Sequence, residues 1–191
     1  IGQKNQKSFF KKIGFYDKIK IEINESATPL ANRNNWGILE TMTIAYGHGF
    51  AVTPLHLARA YATLVNDGYF VNPTLLLNSK KNITDNKIIE NSTSKEIREL
   101  LRAVVTDTDY TGPRVRIEGY EIGAKTGTAE LIDSGKYNEN ANRTAFISIF
   151  PSSDPEFLVL AIIENPKKIK EENFSITAAT VVAPLVKNII L

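Results

Sequence analysis

The chain reads as an α+β protein. Helical patterns with clear apolar faces occupy the stretch up to residue 106, three strand patterns follow between residues 119 and 164, and an apolar helix closes the chain. Helices set apart from a run of strands, with a short hairpin-like loop between the last two, imply an antiparallel sheet packed by helices rather than the strand–helix alternation of a parallel sheet. At 191 residues the chain is long enough for one domain with a substantial core.

Taken in order, residues 1–20 are a basic, amphipathic stretch ending near Gly14, without a clear helix or strand start, and the N-terminus reads as a cut end. Residues 22–37, rich in Asn, Ser, Thr and Pro, read as loop. Trp36, the only tryptophan, is expected to anchor packing. A short helix is predicted over 38–46, broken by Gly47-His48-Gly49. The clearest helix follows: Thr53 suits the N-cap and Pro54 the first helical position. Leu57, Ala58, Tyr61, Leu64 and Val65 fall on one face. Asn66-Asp67-Gly68 stops it, with Gly68 as a left-handed C-cap. Residues 69–77 read as extended, and 78–91 as a polar connection with a short strand around Ile88. A second helix is predicted over 93–106, opened by the capping box Thr93/Glu96 and showing Ile97, Leu100, Leu101 and Val104 on its apolar face. Residues 107–116 read as loop. Strands are expected over 119–131, 144–150 and 157–164, with Pro151–Glu156 joining the last two. Residues 174–190 form a final helix kinked by Pro184. Its Val181, Val182, Leu185 and Ile189 should pack on one face of the sheet, leaving the other face incompletely covered.

Composition excludes several functions. A formal net charge of +2 is too small to point to nucleic acid, and Lys167, Lys168 and Lys170 read as a solvated loop. The absence of cysteine removes disulfides, thiolate catalysis and thiolate metal sites. Only His48 and His56 offer imidazoles, Asp107 and Asp109 are too isolated for a metal site, and no glycine-rich phosphate loop occurs. No cofactor or metal is expected. No apolar run reaches the ~18 residues needed to cross a bilayer, and no signal peptide is visible.

The most informative run is Lys125-Thr126-Gly127-Thr128, inside a strand pattern. Lys125 supplies fixed charge, Thr126 and Thr128 supply hydroxyl donors, and Gly127 lets a ligand approach the backbone. Together they suit a carboxylate-bearing acyl substrate held against a strand edge. K-T-G is the third motif of penicillin-binding proteins and class A β-lactamases, whose other motifs are S-x-x-K and S-x-N. Ser92-Thr93-Ser94-Lys95 spells the first, but the capping box explains it better, and no S-x-N or Y-x-N occurs in the chain. Thr53-Pro54-Leu55-His56-Leu57-Ala58 matches an ankyrin signature, but one copy cannot form a stack. His56 then reads as a helix-surface or packing residue, and His48 as part of a tight turn rather than a base.

Longer blocks carry a resemblance. Tyr46-Gly47-His48-Gly49 through Val52-Thr53-Pro54-Leu55-His56-Leu57-Ala58-Arg59-Ala60-Tyr61-Ala62, then Asn66-Asp67-Gly68, Pro73, Thr111-Gly112, Gly119-Tyr120, Lys125–Ala129, Gly135-Lys136-Tyr137, Ala145-Phe146, Phe150-Pro151 and Ala183-Pro184 resemble class B penicillin-binding proteins, over 36–191 most closely. His56 stands where glutamine is commoner, and Asp109-Tyr110 is bulky for its place before Thr111-Gly112. The septal, cell-division type is the nearest match. The resemblance implies the partial fold of a penicillin-binding/β-lactamase-like transpeptidase, with residues 1–191 as the C-terminal part of the domain and the nucleophilic serine upstream. It implies a bacterial peptidoglycan D,D-transpeptidase working through an acyl-serine, on the periplasmic face of the inner membrane and anchored by a segment outside this chain. This chain alone would be inactive. Expected partners are the D-Ala-D-Ala stem peptide, β-lactams, and a membrane-embedded septal glycan polymerase with other division proteins; nucleic acid is not among them. Lys125 would place charge near the substrate carboxylate, Thr126 and Thr128 would donate to it, Gly127 would admit it, and the Thr128 N–H would form half of an oxyanion hole. An elongation-type enzyme, a β-lactam sensor of the same fold, and a non-catalytic binding module are the alternatives.

Overall fold

The computed structural model describes residues 1–31, 36–77, 83–107, 109–133, 136–167 and 175–191. Lys168 and Lys170, Gly135, residue 108, the start of the predicted final helix and parts of the predicted loops at 32–35 and 78–82 lie outside these. The chain divides into two compact units, Ile1–Ser94 and Lys95–Leu191.

The first unit opens with α1 (Gly2–Lys12), so a regular helix stands where the sequence showed no clear start. Gln6 is its buried residue, and Ile13 closes over the same side at 1% exposure. Trp36 is the anchor expected of it. Its indole N–H lies 3.2 Å from both Gln6 Oε1 and Thr41 Oγ1, and Phe10 meets Phe15, Trp36 and Phe50 edge-on at 5.4, 5.7 and 5.1 Å. That ring cluster is the local core, each pair adding to plain area burial. β1 (Leu30–Ala31), inside the predicted loop, pairs antiparallel with β2 (Phe50–Ala51). Between them lies α2 (Ile38–Ala45), opened by the Glu40 carboxylate accepting the Gly37 N–H at 2.8 Å. It ends where Gly47 and Gly49 take φ of 99° and 79°, conformations open to glycine.

α3 (Pro54–Val65) starts as predicted, with Thr53 Oγ1 accepting the His56 N–H at 3.3 Å. Its buried face is not the predicted one. His56, Arg59, Ala60, Thr63 and Val65 are buried, while Leu57, Ala58, Tyr61 and Leu64 are half-buried. The polar residues go inside because the turn at Gly14–Asp17 offers carbonyls: His56 Nε2 reaches Asp17 O at 2.8 Å and Arg59 Nη2 donates to Gly14 O at 2.5 Å. Gly14 has φ of 80°, and a Cβ there would stand 2.3 Å from the Arg59 guanidinium. At the other end both Asp67 and Gly68 are left-handed. β3 (Tyr69–Val71) and β4 (Ile83–Lys87) pair antiparallel. The extended reading of 69–77 shrinks to three residues because Thr74 and Leu75 turn to the Glu22 carboxylate, which accepts the Leu75 N–H at 2.9 Å. The strand expected around Ile88 ends one residue before it.

α4 (Asn91–Thr106) begins two residues early. Glu90 O accepts the Ser94 N–H at 3.0 Å, which puts Thr93 inside the first turn and overturns the Thr93/Glu96 capping box. Its inward face is also rotated: Leu101 and Val105 are 6% and 0% exposed, while Leu100 is 69% exposed. Within the predicted 107–116 loop, α5 (Gly112–Val115) forms one turn. Arg116 Nη2 donates to Val105 O and Thr106 O at 2.9 and 3.0 Å, satisfying carbonyls that the end of α4 leaves unpaired.

β5 (Gly123–Asp133), β6 (Lys136–Phe150) and β7 (Phe157–Glu164) form an antiparallel sheet in that order. β5 starts at Gly123 rather than 119, after a turn in which Gly119 takes φ of 82°. β6 extends well before residue 144 to complete the hairpin, with a register shift between Glu130 and Leu131. The predicted final helix is two: α6 (Ala178–Val181) and α7 (Ala183–Ile190). Pro184 lies in the first turn of α7, where its missing N–H costs nothing, so it starts a helix instead of kinking one. Ala179, Val182, Ala183 and Val186 are buried, while Leu185 and Ile189 are 43% and 55% exposed, so the packing stripe is not the predicted one. One core joins Val182, Ala183 and Val186 to Ala124 and Phe146 of the sheet and to Val105, Val115, Ile117 and Ile122. The opposite face is partly covered: Ile147 and Ile149 are 4% and 1% exposed, while Leu158, Leu160 and Ile162 on the same face are half-buried. A Cβ on Gly123 would lie 3.2 Å from both Ile149 and Leu101, so α4 crosses that face at its end.

Candidate functional site

Lys125, Thr126, Gly127 and Thr128 lie together on β5, the edge strand, opposite Ile147, Phe146, Ala145 and Thr144 of β6. The other edge of β5 carries no strand among the described residues, so its backbone groups there are open to an extended ligand. Strand alternation divides the four residues. Thr126 and Thr128 share the face of buried Phe146 and Thr144, and Lys125 shares the opposite face with Ile147 and Gly127. The cation and the two hydroxyls therefore flank the open edge from two sides rather than pointing one way.

Lys125 is exposed, and its Nζ donates to Thr126 O at 2.7 Å. A Cβ on Gly127 would meet nothing nearer than Ala145 at 3.9 Å, so packing does not require glycine there. The Thr128 hydroxyl accepts the Ala178 N–H at 3.2 Å, tying the end of the motif to the start of α6. Thr177 lies beside it, and its hydroxyl is 3.3 Å from the Tyr110 hydroxyl. Tyr110, Thr177 and Ala178 were not singled out as site residues; the one sequence signal was the bulky Asp109-Tyr110 pair before Thr111-Gly112.

The decoys separate cleanly. Ser92 and Lys95 are exposed on α4, and Lys95 Nζ is 3.9 Å from Glu99, an ordinary surface pair one turn on. Ser8-Phe9-Phe10-Lys11, a second S-x-x-K, lies on α1 with Ser8 and Lys11 both exposed. His48 sits in the turn after α2, its N–H bonded to Thr43 O at 3.0 Å and its ring 5.4 Å from that of Tyr46. His56 is a packing residue, at 1% exposure, not a surface one. Its Nε2–H donates to the Asp17 carbonyl, so Nδ1 accepts the Thr53 hydroxyl proton at 2.7 Å. Burial holds its pKa below the ordinary histidine value. Among the described residues no three acidic or imidazole groups could hold a metal ion, and no helix is long and apolar enough to cross a membrane.

The family model for the penicillin-binding protein transpeptidase domain matches residues 1–190. This chain belongs to the penicillin-binding protein transpeptidase family. Among similar proteins, stage V sporulation protein D of Bacillus subtilis is 32% identical over 99% of this chain and 30% of its own length. The probable peptidoglycan D,D-transpeptidase PenA of Neisseria meningitidis is 33% identical over 74% of this chain and 24% of its own length. The transpeptidase domain of penicillin-binding protein 3 from Burkholderia pseudomallei superposes with a TM-score of 0.85 at 25% identity, over 98% of this chain and 55% of that one. This transpeptidase-family chain thus spans less than a third of those curated relatives. The α+β class and the family read from the blocks between Tyr46 and Pro184 both hold.

Proposed function

We propose that this chain is the substrate-binding, C-terminal part of a bacterial peptidoglycan D,D-transpeptidase that also binds β-lactams. The observation that carries the proposal is the placing of Lys125-Thr126-Gly127-Thr128 on the open edge of β5, with Lys125, Gly127 and Thr128 exposed, in a chain of this family. In this reading a stem peptide ending in D-Ala-D-Ala lies along β5 as an added strand. Lys125 supplies positive potential, and Thr126 and Thr128 donate to the terminal carboxylate. A serine supplied by sequence N-terminal to this chain attacks the penultimate carbonyl. Its proton passes to the leaving D-alanine amine, and an amine of a neighbouring strand later takes the acyl group. The Thr128 N–H forms half of the oxyanion hole, a donor of a kind typically worth ~3–4 kcal/mol of barrier.

The septal assignment, the periplasmic face of the inner membrane as location, and a glycan polymerase and division proteins as partners belong to the same proposal. The Gly47-His48-Gly49 block and the likeness to a probable D,D-transpeptidase FtsI of Caulobacter vibrioides, 28% identical over 87% of this chain, support the septal reading. Labelling with a fluorescent penicillin, followed by denaturing electrophoresis and peptide mapping, tests the core of it. The full-length protein should label at a serine N-terminal to residue 1, and the 191-residue chain alone should not label. Label on Ser8 or Ser92 would overturn the reading.

A further inference from the structure

The hydroxyls beside Thr128 form a set whose protons can be assigned. Thr180 Oγ1 has two carbonyls in reach, Ser175 O at 2.7 Å and Thr177 O at 3.1 Å, so its single proton goes to a carbonyl. It is also 3.0 Å from Thr177 N and 3.1 Å from Thr177 Oγ1, so it accepts from both. Satisfying both hydroxyl contacts of Thr177 at once puts its proton on Thr180, and Thr177 Oγ1 accepts the Thr180 N–H at 3.3 Å. With that proton placed, the donor across the 3.3 Å gap between Tyr110 and Thr177 is the Tyr110 hydroxyl. Thr128 Oγ1 accepts the Ala178 N–H. Thr128 is thus the one hydroxyl of the four whose proton finds no acceptor among the described residues.

Tyr110 is itself held. The Arg114 guanidinium stacks on its ring at 4.4 Å and donates to its carbonyl. The α4–α5 loop is in this way linked, through Tyr110 and Thr177, to the residue pair that opens α6, and Ala178 of that pair fixes Thr128. An N–H bound to one lone pair restricts the rotation of the Thr128 hydroxyl and polarises its O–H, which makes it a better donor.

We infer that Tyr110 and Thr177 are positioning residues of the carboxylate subsite: they hold the first turn of α6 so that the Ala178 N–H orients the Thr128 hydroxyl proton toward the terminal carboxylate of the substrate. This rests on the reading of Lys125–Thr128 as the carboxylate site. Neither residue touches the substrate.

The test is the ratio of acylation rate constants for benzylpenicillin and its methyl ester, in the full-length transpeptidase that carries this chain. The two compounds differ only at the carboxylate, which the ester leaves uncharged and methylated, so a general loss of structure lowers both rates and leaves the ratio unchanged. Lys125→Ala and Thr128→Val should collapse the ratio. Tyr110→Phe and Thr177→Val should lower it about two- to tenfold, as loss of one supporting hydrogen bond would, with the carboxylate rate falling more than the ester rate. Thr177→Ser, which keeps the hydroxyl, should restore it. If Lys125→Ala and Thr128→Val collapse the ratio while Tyr110→Phe and Thr177→Val leave it unchanged or lower both rates equally, the inference fails and the carboxylate site stands. If Lys125→Ala and Thr128→Val leave the ratio unchanged, the site reading fails and the inference with it.

Discussion

Lys125 and Thr128 approach the open edge of β5 from opposite faces, so in the proposed carboxylate site they would act through different physics. Thr128→Val keeps the shape and the backbone N–H but removes the hydroxyl. A hydrogen bond to a charged group is worth roughly 1.5–3 kcal/mol, so penicillin acylation of the full-length protein should slow about ten- to a hundredfold by stopped-flow kinetics. Lys125→Ala should slow it at least as much, since the field is lost as well. Lys95→Ala, on the decoy motif of α4, should leave the rate within about twofold. His56 makes a different statement. Its neutral form is the one that fits, with Nε2–H on Asp17 O and Nδ1 on the Thr53 hydroxyl, and burial depresses its pKa from the ordinary 6.5. The unfolded chain then binds more protons just below pH 6.5, so the His56 contribution is present above that value and is lost as pH falls toward the lower folded pKa. The charged groups acting on it are Arg59, which disfavours protonation, and Asp17, which favours it less strongly than burial opposes it. Urea midpoints for wild type and His56→Gln should diverge least in acid and most at neutral pH. A constant difference would show that His56 titration does not contribute.

At the scale of elements, two glycines show how differently one residue type is required. Gly68 ends α3 with φ of 83°, and a Cβ there would lie 2.1 Å from the Ile89 carbonyl oxygen. Gly68→Ala should therefore destabilise the first unit by at least about 2 kcal/mol, the left-handed strain and the clash adding. Gly127 on β5 has neither demand: its nearest potential neighbour is Ala145 at 3.9 Å. Gly127→Ala should leave the urea midpoint unchanged or raise it slightly, since alanine loses less chain entropy on folding, while slowing penicillin acylation by crowding the ligand backbone. A fall in the midpoint at Gly127→Ala as large as that at Gly68→Ala would mean that glycine serves packing in β5.

Across the whole molecule the apolar surface is unevenly distributed. Ile38, Leu39, Met42 and Tyr46, spaced along α2 and its end, are 77%, 70%, 60% and 69% exposed. Such a stripe contributes little to the stability of the unit that carries it and favours self-association. Leu39→Lys with Met42→Lys should keep the chain monomeric to higher concentration in light scattering, without lowering its thermal midpoint. A fall of several degrees in that midpoint would show that the stripe is covered in solution.

Local rules decided much of this protein. Thr53-Pro54 opens α3 and Asn66-Asp67-Gly68 closes it because capping and left-handed turns depend on a few neighbouring residues. The three strands and the placing of Lys125–Thr128 on a strand follow likewise from alternation and β-branched content. The sequence also carried the family, through blocks spread from Tyr46 to Pro184. What it could not decide were choices made between distant segments. Burial of His56 and Arg59 in place of Tyr61 and Leu64 needs the carbonyls of Asp17 and Gly14, which only the folded turn presents. The early start of α4 and the separation of α6 from α7 shift the apolar stripes, because an amphipathic pattern specifies a face only once a partner surface fixes its rotation. The orientation of Thr128 is of the same kind. Its hydroxyl is written in the sequence, but the N–H it accepts comes from Ala178, fifty residues away in the chain.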